Sequence, residues 1–162
     1  MSSQPDILVT APDSPNILLV VEVHLHLTDI EKNESSLKHY MFQMGVPVGM
    51  LVSPKFMAIY RHRYREYSEK SVERIGIFKI PDSWSVFDFS HLSPEEISNS
   101  NDSKTAFIFE HNVQTWLERL RTTTALEDFP DEAKKAISEY VLPVLYEGEV
   151  RAAHARDYSR VQ

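Results

Sequence analysis

Two carboxylates and a histidine fall where they could build a hydrolytic metal site. They are Asp6 in Pro5-Asp6-Ile-Leu-Val, Glu22 in Ile-Leu-Leu-Val-Val-Glu-Val, and His24 two residues beyond. Phosphodiester hydrolysis in neutral water needs a divalent cation to polarise the phosphate and generate hydroxide, and a positive group to balance the charge that develops. Carboxylates gathered at strand ends supply such a cation site. Glu22 is the most informative of them, because a carboxylate inside an apolar, β-branched run is costly to bury unless it is paired or binds a metal.

His24 and His26 alternate with Glu22 on one strand face, a spacing at which two imidazoles also chelate zinc or another transition metal. The plainer alternative is a pair of hydrogen-bonded histidines facing a polar cleft. Lys38 is a candidate positive group from a neighbouring helix, or simply a solvated lysine on that helix. Tyr40 is a candidate site residue or a packing residue, while Asp13 belongs to a turn. His39, His62, His91, His111 and His154 show no spacing pattern.

Positioning these groups falls to the first 64 residues. Pro5–Thr10 and Asn16–Leu27 are β-branched runs joined by Ala-Pro-Asp-Ser-Pro, a turn composition, so they predict an antiparallel hairpin. Along the second strand Ile17, Leu19, Val21, Val23, Leu25 and Leu27 share one face, and Leu18, Val20, Glu22, His24 and His26 the other. Thr28–Glu34 is polar enough for a loop. Leu37, Tyr40, Met41 and Met44 then repeat at helical spacing, predicting a helix over Ser35–Met44 with Gly45 as its C-cap. Val46–Val52 and Phe56–Tyr60 follow as strands, and the sequence up to Tyr64 describes an α/β core.

Beyond that core, Arg74–Ile80 predicts one more strand, and Ser93-Pro94-Glu95-Glu96 is a capping box. Asn99–Lys104 is expected to be a loop. Stripes through Phe109, Val113, Trp116, Leu117 and Leu120, and through Ala133, Ile137, Tyr140, Val141 and Val144, predict a mainly helical C-terminal half. Pro143 should kink or end the last helix. The organisation expected is one domain over 1–147, with a core at 4–64 and an elaboration at 65–147, followed by a frayed tail over 148–162.

Composition narrows the function classes. With 162 residues, 42% of them hydrophobic, the chain can bury a substantial core, and with no cysteine any metal must sit on oxygen or imidazole ligands. Neither a run of eighteen apolar residues nor a basic-then-apolar leader is present, so a cytoplasmic protein with no membrane partner is expected. A formal net charge of −7 argues against a broad phosphate-binding surface. The local exception is Arg61-His62-Arg63-Tyr64-Arg65, where arginines interleave with rings that can stack. That composition suits a nucleic-acid backbone, and equally the solvent face of a strand end.

Pro5-Asp6-Ile-Leu-Val, the hairpin, Leu-Leu-Val-Val-Glu22-Val-His24, a helix carrying Leu37-Lys-His-Tyr40 and the run Gly45-Val-Pro-Val-Gly-Met-Leu-Val together resemble the PD-(D/E)XK nuclease superfamily. Within it they are similar to the N-terminal nuclease domain of type I restriction enzyme R subunits. The resemblance covers residues 4–64. It implies an α/β fold with a restriction-endonuclease-like mixed sheet flanked by helices, DNA as partner, and Asp6 and Glu22 as ligands of Mg2+, ahead of Mn2+ or Zn2+. It also implies Glu22, His24 and Tyr40 as the catalytic positions.

Two departures bear on activity. The family's lysine is His24 here, an imidazole with an ordinary pKa near 6.5 that is mostly neutral where lysine is charged, and Ser36 stands where a glutamine is usual. A metal-dependent endonuclease and a catalytically inert binding or protein-interaction domain therefore both stay open, as does a small zinc hydrolase built on His24 and His26. Family members also carry a helix and a strand ahead of the motif, whereas few residues precede Asp6 here. The first strand is thus expected to be a sheet edge, covered by Arg74–Ile80, by a C-terminal segment, or by the same edge of a second copy in a homodimer.

Overall fold

The computed structural model describes residues 5–25, 30–81, 103–122, 126 and 129–153. The predicted hairpin forms from β1 (Ile7–Thr10) and β2 (Ile17–Val23), antiparallel, with Ile7 opposite Val21 and a register shift at Val9/Thr10. Helix α1 (Ile30–Met44) connects β2 to β3 (Val48–Val52), which pairs with β2 in parallel. From there β4 (Phe56–His62) and β5 (Val72–Lys79) add antiparallel, after a loop containing a short 3-10 turn at Glu69–Ser71.

Helix α1 begins at Ile30, five residues before the predicted start, so Ile30–Glu34 is helix and not loop. Its inward stripe is Ile30, Glu34, Leu37 and Met41, and the glutamate interrupts the apolar pattern that would have announced the first turn. At the other end Gly45 adopts φ 66, the left-handed conformation that closes a helix and that only glycine reaches without strain.

The second half supplies α2 (Ser103–Leu120), α3 (Asp131–Ala136) and α4 (Leu142–Glu147), the last two joined by a wider π-type turn at Ile137–Val141. Pro143 sits in the first turn of α4, just past that widening. A proline there lacks the N–H of a regular helical bond, and the chain changes winding instead of ending. Ser103 and Lys104, expected in a loop, open α2. The capping box at Ser93 lies outside the described residues.

The tail expected to fray from residue 148 instead supplies β6 (Glu149–Ala152), which pairs antiparallel with β1 and places Val150 opposite Val9. The sheet order is β5-β4-β3-β2-β1-β6. This corrects two expectations about the first strand. Arg74–Ile80 does not cover it, since β5 lies at the far side of β4; and the β1 edge is not open to a second chain, because β6 occupies it.

Helices flank the six-stranded mixed sheet on both faces. Leu19, Val21, Met50 and Ile59 form one core with Phe109, Val113, Trp116 and Leu117 of α2 and with Ile137 and Leu145 of the last helices. Val20, Leu51, Ala58 and Tyr60 form the other with Leu37 and Met41 of α1. Among the described residues no helix is long and apolar enough to cross a membrane.

Candidate functional site

Asp6 is bonded to the residues on both sides of Glu22. Its N–H donates to the Val21 carbonyl at 3.0 Å, and its Oδ2 accepts from the Val23 N–H at 2.7 Å. The Asp6 carbonyl accepts from Ala153 N–H at 2.9 Å, so the same residue also ends the β1–β6 ladder. Asp6 and Glu22 are therefore immediate neighbours across the hairpin, at the end of the sheet where the parallel strands β2 and β3 finish.

Glu22 is buried, at 4% exposure. Val21 and Val23 pack into the α2 core and Val20 into the α1 core, so alternation puts Glu22 on the α1 face. Leu25 packs with Val23 on the α2 side, which leaves His24 on the same side as Glu22. His24 N–H donates to Val52 carbonyl at 2.9 Å, tying the residue to the end of β3. Burial holds the His24 imidazole below its ordinary pKa, because an imidazolium would lose hydration there. Its Nε2 is buried with no hydrogen-bond partner among the described residues.

The helix contributes differently from the sequence expectation. Tyr40 is half-buried against the α1 core, burial raises its phenol pKa, and no hydrogen bond among the described residues links it to Asp6 or Glu22. Lys38 pairs with Glu34 at 3.4 Å and not with the acidic pair. Ser36 is partly buried on α1, and His26 lies outside the described residues.

A second polar centre escaped the sequence reading. Glu34, inward on α1, accepts from the Tyr60 hydroxyl at 2.7 Å and from Arg74 at 2.8 Å. Desolvation pushes the Glu34 carboxyl up, but the Tyr60 hydrogen bond and the charges of Lys38 and Arg74 outweigh it and hold the group below its ordinary value. Desolvation, and then Glu34 itself, push the Tyr60 phenol up. The available signal was Glu34 at the i, i+3/i+4 spacing of Ile30, Leu37 and Met41, a carboxylate where the stripe calls for an apolar residue.

A pair of carboxylates is the kind of donor set that suits a hard cation. Magnesium is commonly held by one or two carboxylates together with waters and substrate phosphates, which Asp6 and Glu22 can provide. A closed zinc site needs three or four ligands, and no group of three histidine, aspartate or glutamate side chains suited to a metal occurs among the described residues. The Asp6 carboxylate is engaged through Oδ2 by the Val23 N–H.

No protein-family model, curated protein or solved structure matches the chain.

Proposed function

We propose that the protein is a restriction-endonuclease-like domain that binds DNA, holds a divalent cation, Mg2+ foremost, between Asp6 and Glu22, and hydrolyses phosphodiesters weakly or not at all. The observation that carries this reading is the bonding of Asp6 to both neighbours of Glu22, at the sheet end where β2 and β3 finish side by side. A cation shared by the two carboxylates would balance the negative charge that the hairpin brings to this end of the sheet. When bound, the cation would polarise a phosphate oxygen and lower the pKa of a water. Asp6 and Glu22 would hold and orient it. His24, on the same face as Glu22 and with its imidazole pKa lowered by burial, lacks the permanent charge with which a lysine would stabilise the transition state.

An inert binding domain is the second reading. The 2.7 Å bond from Val23 N–H gives the Asp6 carboxylate a structural task that needs no metal. Titration of the protein with Mg2+ and Mn2+, followed by plasmid nicking, separates the two. Cation binding that disappears in Glu22→Gln supports the first reading, and a protein that binds neither cation leaves the second.

A further inference from the structure

At the opposite end of the sheet, where β4 finishes and the loop 63–71 leads to β5, cations gather on a protein whose net charge is −7. A cleft of about 520 Å³ is lined by Lys38, Arg63, Arg65, Lys70 and Arg74. Three of these have carboxylate partners, since Arg63 pairs with Glu73 while Lys38 and Arg74 share Glu34. The carboxylates of Glu66 and Glu73 line the cleft too, and the charge of Arg65 acts on Glu73, but neither Arg65 nor Lys70 makes an ion pair with any described residue, so cations outnumber carboxylates there.

The loop carrying these two cations is organised from beneath. Ser71 is buried; its Oγ accepts from Arg65 N–H and Glu66 N–H, each at 2.7 Å, and its carbonyl accepts from Arg63 N–H at 2.8 Å. A fixed backbone lowers the entropy lost when the loop engages a ligand.

Beside the basic cleft lies a second one of about 370 Å³, which shares Arg65 and Glu66 with it and is walled by Phe42, Tyr64 and Tyr67. Tyr64 occupies φ 55, a conformation unfavourable for a bulky residue, and three interactions hold it there. Its N–H donates to His62 Nδ1 at 3.0 Å, its hydroxyl donates to Gly45 carbonyl at 2.9 Å, and its ring stacks on His62 with centroids 3.8 Å apart. Tyr64 is nonetheless 59% exposed and Tyr67 98% exposed. One face of the Tyr64 ring is filled by His62, and the exposed ring lines the cleft.

We propose that these adjoining clefts form a site for a phosphorylated base, either a free nucleotide or a nucleotide of a single strand, with phosphate on Arg65 and Lys70 and the base stacked on Tyr64. Cations alone would suit any anion. A rigid, open aromatic face sharing an arginine with the basic cleft selects a ligand that joins negative charge to a flat ring. The site stands apart from Asp6 and Glu22 and does not depend on their proposed role.

The test uses the full chain and four probes: adenosine 5′-monophosphate, adenosine, inorganic phosphate, and a fluorescein-labelled twelve-residue oligothymidylate. Titrations at low and raised salt should show the monophosphate binding more tightly than adenosine or phosphate, and the strand losing affinity as salt rises. Tyr64→Asn, whose new residue tolerates the left-handed backbone, should weaken the monophosphate about fivefold or more and leave phosphate unchanged. Arg65→Ala with Lys70→Ala, both exposed positions, should weaken every phosphate-bearing probe, whereas Glu22→Gln should change nothing here. A strand that binds much more tightly than the monophosphate identifies nucleic acid as the source of the ligand, and equal affinity identifies a free nucleotide. Failure of both to bind, competition by polyglutamate as strong as by the monophosphate, or a Tyr64→Asn effect of equal size on phosphate would overturn the proposal.

Discussion

Asp6 and Val23 are joined by a 2.7 Å hydrogen bond from the backbone N–H of one to the carboxylate of the other, so a side chain finishes the ladder that the β1 backbone begins. A bond to an ionised acceptor contributes more than a neutral one, and its loss leaves a part-buried N–H without its partner. Asp6→Ala should destabilise the protein by about 1–3 kcal/mol in urea denaturation. Asp6→Asn keeps an acceptor oxygen and should lose much less stability, yet it should bind Mg2+ and Mn2+ more weakly. Negligible losses in both variants would show that the bond contributes little, and equal large losses that only an ionised acceptor serves there.

Glu34 connects the α1 core to the surface through Tyr60 and Arg74, and its depressed pKa has a consequence for stability. A carboxylate that ionises more readily in the folded state contributes stability above its unfolded pKa, near 4.5, and loses it as pH falls through the folded value. His24 and His62, both held below 6.5 by burial, act earlier, destabilising the fold as pH falls below about 6.5. Subtracting the stability profile of Glu34→Gln from that of the wild type should therefore leave a drop confined to the region below about pH 4.5. Tyr60→Phe should cost roughly 0.5–2 kcal/mol at neutral pH. A flat difference profile would mean that the network holds no preference for ionised Glu34.

Gly148 admits β6 to the sheet. A Cβ there would collide with the Val9 side chain and stand 3.0 Å from the Thr10 carbonyl oxygen, atoms of the very strand that β6 covers. Gly148→Ala should push β6 away from β1 and cost about 1–3 kcal/mol. Amide exchange at Ile7–Thr10 should accelerate, and the exposed edge should promote association visible in light scattering. Unchanged protection of those amides would show that β1 does not depend on β6.

What the sequence made legible follows the range of the interactions involved. The hairpin depends on one short turn and on alternation and could be read directly, whereas the register shift at Val9/Thr10 within it could not. The first turn of α1 was obscured because Glu34 occupies an inward position, its burial compensated by Tyr60 and Arg74, 26 and 40 residues away. Strand β6 was illegible for a related reason. Glu-Val-Arg-Ala has a single large apolar residue and derives its structure from pairing with β1 at the other end of the chain. The Arg63–Arg65 segment showed its composition in sequence, but its joining to Lys38 and Arg74 required the α1 face to be known.

Under the proposed nuclease reading, hydrolysis at the acidic end turns on His24. Its ring is partly buried on the strand face that carries Glu22, and desolvation keeps it neutral near pH 7, so it would bring no charge to a phosphate at that end. Lysine has a flexible stem and an ordinary pKa near 10.4, which leaves room for burial to lower it without discharging it at neutral pH. In plasmid nicking with Mg2+ near pH 7, the wild type should cut feebly or not at all, and His24→Lys should raise the rate roughly tenfold or more. Adding Glu22→Ala to the lysine variant should abolish the gain, because the charge is useful only beside a held cation. His24→Gln serves as the control for loss of the ring, and circular dichroism establishes that each variant is folded. Strong wild-type cleavage indifferent to Glu22, or a folded and cation-bound lysine variant as inert as the wild type, would remove hydrolysis from this site and leave binding as its role.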